Sequence, residues 1–220
     1  MKKGKLIIFS GLDCSGKSTQ IDFLNNNFID KGEKCIVFWS RGGYTPNFQR
    51  AKDIIRYFAG KKLPKPGFTP QREKALANPF IRKVWLTIAM LDLIIYYAFY
   101  LRLKYYLNYI VICDRHLIDT NIDFKLTYPQ EKTNQWLLWK LLCFTALKPE
   151  FHFVSLIPVS ESVIRSKFKF EPYPDSPEIL SKRLDMYSIE LAQNKTLIYV
   201  DGTKDMHEIK NFIQETITSA

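Results

Sequence analysis

Short apolar runs alternate with longer stretches of mixed polarity along this chain. Leu6-Ile7-Ile8-Phe9, Cys35-Ile36-Val37-Phe38-Trp39, Tyr109-Ile110-Val111-Ile112-Cys113 and Leu197-Ile198-Tyr199-Val200 are continuous apolar runs of strand length, and Phe151 through Ile157 is a fifth, interrupted only by His152 and Ser155. All are rich in β-branched and aromatic residues. Between them lie helical patterns at about 17–30, 47–58, 72–107, 115–147, 176–194 and 205–217. The third of these is expected to break near Asn78-Pro79 and the fourth near Pro129, because proline cannot continue a helix without losing a hydrogen bond. Ser176 before Pro177 is a cap-then-first-turn start. The segment 60–70 holds three prolines and three lysines and reads as a loop. Strands that are apolar on both faces and alternate with helices imply a parallel sheet covered on both sides. The expected fold is therefore α/β: a five-stranded parallel sheet in a three-layer sandwich, one domain over residues 1–220. Ligands in such sheets bind beyond the carboxyl ends of the strands.

Residues 84–103 change the picture in one place. They carry only Asp92 and Arg102 as charges, and their length matches a membrane span of ~20 residues. A carboxylate near mid-span costs roughly 2.5–3.5 kcal/mol, and the segment leads straight into a strand that the sheet needs. The expectation is a long core helix. Three further roles stay open for its aromatic half: a pocket wall, a homodimer interface, or a peripheral membrane contact, the last being the least favoured.

The formal charge is +10, which attracts anions without choosing among nucleotides, nucleic acid and acidic lipids. No nucleic-acid recognition module accompanies it, so a nucleic-acid partner is not expected. The four cysteines and three histidines show no zinc or disulfide spacing and read as reduced thiols of a cytoplasmic protein.

The deciding motif is Gly11-Leu12-Asp13-Cys14-Ser15-Gly16-Lys17-Ser18. It fits G-x-x-x-x-G-K-[ST], and it stands after an apolar strand and at the head of a helix, where its mechanism requires it. Backbone N–H groups of such a loop curl around phosphates, and the helix N-terminus adds partial positive charge. The candidate ATP site is Gly11, Asp13, Cys14, Ser15, Gly16, Lys17, Ser18 and Thr19. Lys17 reaches the β- and γ-phosphates and the Ser18 hydroxyl suits Mg2+. The third strand ends in Asp114-Arg115. The acid suits the magnesium side, and the planar fork of Arg115 suits an acceptor phosphate. A basic stretch with Arg165, Lys167 and Lys169, followed by Arg183, reads as a lid over about 160–177 that brings a cation to the transferred group. Arg165 is the preferred catalytic cation, beside Lys17 and Arg115.

Gly11 through Gln20, Asp114-Arg115-His116 and the closing Tyr199-Val200-Asp201-Gly202-Thr203 together resemble thymidylate kinases. The resemblance implies a P-loop kinase that moves the ATP γ-phosphoryl, with magnesium, to a nucleoside monophosphate. It also implies that Asp13 lies near the acceptor sugar and that Arg115 holds the acceptor phosphate. The chain departs from the family on the acceptor side. Trp39-Ser40-Arg41-Gly42-Gly43-Tyr44-Thr45 stands where the family has Arg-Glu-Pro-Gly-Gly-Thr. Asp92-Leu93 stands where the family has an Asp-Arg pair. The same fold acting on a sugar, a sugar phosphate or a lipid-linked group is the alternative, and a nucleotide-binding module with little kinase activity is another.

Overall fold

A computed structural model of the chain describes residues 4–40, 76–169 and 174–219. The helix expected at 47–58, the loop at 60–70 and Arg41 lie outside these residues.

Five strands form one parallel sheet in the order β2-β3-β1-β4-β5. They are β1 (Lys5–Gly11), β2 (Cys35–Trp39), β3 (Ile110–Asp114), β4 (Phe151–Leu156) and β5 (Leu197–Asp201). The central strands β1 and β4 are buried almost throughout, as continuous apolar runs require in a sheet covered on both faces. The pleat sorts them. Ile7, Phe9, Ile112 and Phe153 pack on α1 (Lys17–Asp30) and α7 (Met206–Thr218). Leu6, Ile8, Val111 and Cys113 pack on α2 (Pro79–Tyr106) and α4 (Leu137–Thr145). Val154 and Leu156 face the same way as this second set and meet α3 (Leu117–Thr127) and α6 (Pro177–Gln193).

The helix α2 runs over Pro79–Tyr106. Asn78 ends the preceding turn and caps it, accepting from the Phe80 N–H at 2.9 Å, with Pro79 in the first turn; this is the break expected at Asn78-Pro79. Leu86, Ala89, Met90, Leu93, Tyr97 and Leu101 are fully buried, so the core-helix reading describes one face. The opposite face is also apolar, and Val84, Ile88, Leu91, Ile95, Phe99 and Leu103 are exposed. A π-helical stretch, Tyr96–Leu101, lies within α2.

The helical pattern expected over 115–147 is two helices, α3 and α4, with short 3-10 turns at Pro129–Glu131 and Thr133–Gln135 between them. The segment expected to be a lid contains a helix that the sequence reading did not name, α5 (Val159–Phe168).

Candidate active site

The sheet order places β1 between β3 and β4. The connection from β1 leads through α1 to β2, on the far side of β3. The connection from β3 leads back across to β4. The carboxyl end of β1 is thus a switch point, where a crevice opens beyond the sheet. The phosphate loop, Gly11 to Gly16, sits there.

The two motif glycines serve different ends. Gly11 has φ +129, and a Cβ on it would lie 2.0 Å from the Ser155 carbonyl oxygen. It lets β1 close against β4 in register with Ser155. Gly16 has φ +88, and a Cβ on it would meet nothing within 4 Å. There the left-handed backbone, which glycine adopts freely, stands beside open space, as a phosphate cradle requires. Cys14 is also left-handed, at φ +61. The loop is tied from outside. The Leu12 N–H donates to Ser155 O at 3.1 Å. Ser155 Oγ donates to Ser15 O and Ser162 Oγ to Asp13 O, both at 2.8 Å.

Lys17 is buried beneath the loop. Its Nζ donates to Leu12 O at 2.5 Å and to Ser15 Oγ at 3.3 Å. Burial, and after it the Arg115 charge, pushes the Lys17 ammonium down to about 8. Such a cation gains most when an anion arrives beside it. Ser18 and Thr19 are exposed at the head of α1.

Asp114 closes β3, in register with Phe9 of β1 and Trp39 of β2. Burial raises its carboxyl while Lys17 and Arg115 pull the other way. Its Oδ1 is buried with no hydrogen-bond partner. A buried carboxylate oxygen without a partner is costly, and a hard cation satisfies it. Together with the Ser18 hydroxyl it makes an all-oxygen pair. Mg2+ is held in this manner, by one or two protein oxygens with water and substrate phosphates completing the shell. Among the described residues no cluster of three or more His, Cys, Asp or Glu side chains could hold a metal by itself. The donor set therefore fits a magnesium that arrives with a nucleotide.

Arg115 follows at φ +72. Its N–H donates to Phe9 O at 2.8 Å, and its carbonyl accepts from Ser40 Oγ at 2.8 Å. That backbone turn aims the guanidinium at the phosphate loop, where Nη2 pairs with Asp13 Oδ1. Nη1 lies 3.7 Å from Asp119 Oδ1. Tyr97, on the π-helical stretch of α2, bonds Ser40 Oγ at 2.8 Å, and its ring lies 4.5 Å from that of His116. π-Helical turns recur at functional sites, and this one supports the turn that bears Arg115.

Arg165, on α5, reaches the loop from the other side. It donates to Gly202 O at 3.1 Å and Cys14 O at 3.4 Å, and it pairs with Glu161 at 2.8 Å. Arg183 is buried and committed to Asp123 at 2.5 Å and Asp175 at 2.8 Å, so it ties α6 to α3.

No protein-family model matches this chain, and no curated protein does either. Among solved structures, the chain is similar to a deoxyadenosine kinase from M. mycoides, solved with the products dCMP and a flexible dCDP bound. The TM-score is 0.64 at 16% identity, over 98% of this chain and all of that one. At that identity the likeness is one of fold. The chain has the α/β P-loop fold, a five-stranded parallel sheet flanked by helices, expected from its sequence.

Lys17, Ser18, Asp114, Arg115 and the loop residues thus meet at one end of the sheet, and Arg165 abuts them. Leu93, at the position where thymidylate kinases carry an arginine, is fully buried in the core beside α4. Sequence reasoning missed a polar layer under this site. Ser10 on β1, His152 on β4, Asp119 on α3 and Tyr187 on α6 are all buried and bonded to one another. The sequence around Asp119, Leu117-Ile118-Asp119-Thr120-Asn121-Ile122, mixes polar and apolar residues and carries no signal for it.

Proposed function

We propose that this protein is an ATP- and magnesium-dependent kinase that transfers the γ-phosphoryl group to a small phosphorylated acceptor, most specifically a nucleoside monophosphate. The observation that carries the reading is the Asp13–Arg115 pair, which joins the phosphate loop to the end of β3 across the switch point. A donor site and an arginine able to hold an acceptor phosphate then face one crevice.

In this reading an oxygen of the acceptor phosphate attacks the γ-phosphorus. The new P–O bond forms as the bond to the bridging β–γ oxygen breaks, and ADP leaves. An anionic acceptor needs no strong base, so positioning and charge do most of the work. Lys17 serves the donor phosphates, Arg115 the acceptor phosphate, and Asp13 the acceptor's sugar edge. Arg165, now on the carbonyls of Cys14 and Gly202, serves the transferred group. Ser18 and Asp114 would hold magnesium, whose chemistry is to neutralise charge on the phosphates.

A second reading has support of its own. The deoxyadenosine kinase whose fold this chain shares is a nucleoside kinase, and a nucleoside would offer a neutral hydroxyl. Asp13 and Asp114 are the carboxylates at the crevice that could take its proton.

The test is transfer of labelled γ-phosphate from ATP to a panel of nucleoside monophosphates, nucleosides and sugar phosphates, with Lys17→Ala as control. We expect product with a nucleoside monophosphate and none from a folded Lys17→Ala protein. Label reaching only water, or undiminished transfer by Lys17→Ala, overturns the kinase reading.

The partner we infer is a second copy of this chain, on the exposed face of α2 continued by Leu137, Leu141 and Phe144 of α4. These side chains would bury roughly 1,000 Å2 per protomer, taking ~150–250 Å2 for a large aromatic as a guide, against ~800 Å2 per partner in a standard stable interface. A cytoplasmic location accords with the reduced thiols.

A further inference from the structure

The buried carboxylate of Asp119 has no part in the proposed transfer, yet three donors and an arginine converge on it. Its Oδ2 accepts from Ser10 Oγ at 2.5 Å and from the His116 N–H at 2.9 Å. Its Oδ1 accepts from Tyr187 OH at 2.6 Å and faces Arg115 Nη1 at 3.7 Å. The Ser10 hydroxyl has one proton, and it goes to Asp119. The His152 Nε2, 2.8 Å from the same hydroxyl, is therefore the donor to it. The order is fixed: His152 donates to Ser10, Ser10 to Asp119. Burial keeps His152 neutral by pushing it down to about 4, so this tautomer persists through the physiological range.

Asp119 is 1% exposed. Burying a carboxylate with four polar neighbours is expensive, and a core of similar volume without it would hold α3 on the sheet as well. What the apolar alternative could not do is fix an arginine. Arg115 has two carboxylates, one on each side. Asp13 belongs to the phosphate loop and is open to the crevice. Asp119 belongs to the rigid layer beneath and is anchored by β1 and α6 at once. It also ties α3 to α6 through Tyr187, beside the Arg183–Asp123 pair that joins the same two helices.

We propose that Asp119 is a positioning residue: it holds the Arg115 fork in register for the acceptor while Asp13 is released to the incoming ligand, and Ser10, His152 and Tyr187 hold Asp119. This rests on the reading of Arg115 as the acceptor's cation.

The experiment is a double-mutant cycle of Asp119→Asn and Arg115→Lys on the full chain. Acceptor KM, kcat and the Kd of a non-hydrolysable ATP analogue are measured for each variant. Asp119→Asn keeps the shape but loses the charge that Arg115 faces and one acceptor site. We expect acceptor KM to rise by about tenfold or more, with ATP-analogue Kd changed less than about threefold. The double variant should fall within about threefold of the worse single one, since both changes break one unit. Tyr187→Phe removes one bond to the same carboxylate and should raise acceptor KM by about three- to tenfold; it serves where Asp119→Asn does not fold. Additive effects, or equal losses for ATP and acceptor, overturn the positioning role while leaving the kinase reading intact. A wild-type protein that phosphorylates no acceptor overturns both.

Discussion

The Asp13 carboxylate, on the loop between β1 and α1, pairs with the Arg115 guanidinium at the end of β3, 102 residues away in sequence. The pair ties the phosphate loop to the end of β3. Arg115 is only 8% exposed, so its N–H groups have fixed directions. Replacement by lysine keeps the charge and loses the fork. Arg115→Lys should raise acceptor KM by about tenfold or more, in line with the ~1.5–3 kcal/mol of a charge-assisted bond, and change ATP affinity little. Loss of ATP affinity with acceptor KM unmoved would place Arg115 on the donor side.

The two loop glycines should separate under mutation. Gly11→Ala forces a Cβ to within 2.0 Å of Ser155 O, and should cost roughly 2–5 kcal/mol from left-handed strain and overpacking together. Gly16→Ala meets no neighbour, and should cost only about 1–2 kcal/mol of backbone strain while crowding the cradle. Denaturant melts would show the first as unstable. Nucleotide titration would show the second as folded and weak in ATP binding. A stable Gly11→Ala protein contradicts the close approach of β1 to β4.

Acid should destabilise the fold through His152. Burial lowers its folded-state pKa to about 4, against an ordinary value of 6.5. Between those values the unfolded chain holds a proton that the folded chain lacks, so stability rises with pH across the window and falls on acidification through it. The groups facing His152 are the Ser10 hydroxyl, Asp119 and, through charge, His116. The full contribution is roughly 3–4 kcal/mol at ~1.4 kcal/mol per unit. His152→Gln should reduce the pH dependence of urea midpoints between about pH 6.5 and 4, the remainder coming from buried His116, lowered by burial to about 3. An unchanged slope would assign acid sensitivity to other groups.

The chain should sediment near twice its 25.9 kDa mass. Leu137 and Phe144 are 82% and 86% exposed, so a glutamate at both costs no core packing. The double variant Leu137→Glu/Phe144→Glu should be monomeric with an unaltered melting temperature. A wild-type protein that is monomeric at tens of micromolar, by the usual ~1 μM scale of −8.2 kcal/mol, removes the self-association proposal.

Thymidylate should not be the best acceptor. Leu93 fills the core where thymidylate kinases present an arginine, and a charged bond lost without replacement costs about ten- to hundredfold in binding. Arg41, which lies outside the described residues, is the sequence's candidate replacement. Side-by-side kcat/KM values for thymidylate, other nucleoside monophosphates and sugar phosphates decide the matter. A thymidylate value at or above ~10⁴ M⁻¹s⁻¹ and higher than every rival would show that position 93 carries no such weight.

What the sequence determined by itself is local and periodic. Five apolar runs and the helices between them follow from side-chain alternation and from proline and serine at helix ends, as at Asn78-Pro79 and Ser176-Pro177. The phosphate loop was legible because its chemistry needs contiguous residues: glycines to turn the backbone, then Lys17 and Ser18 at the head of one helix. The tertiary structure decided what contiguity cannot encode. Periodicity said that α2 is apolar, but only packing says which stripe faces the sheet, and that Leu93 lies on it. The basic stretch read as a lid gave no hint that Arg165 would bind the carbonyls of Cys14 and Gly202. The layer of Ser10, His152, Asp119 and Tyr187 comes from two strands and two helices. Each of its members is an ordinary polar residue in its own segment. They become a unit only when a parallel sheet brings Ser10 and His152 to the same face of adjacent strands, because a low-dielectric interior leaves buried polar groups no partners but one another.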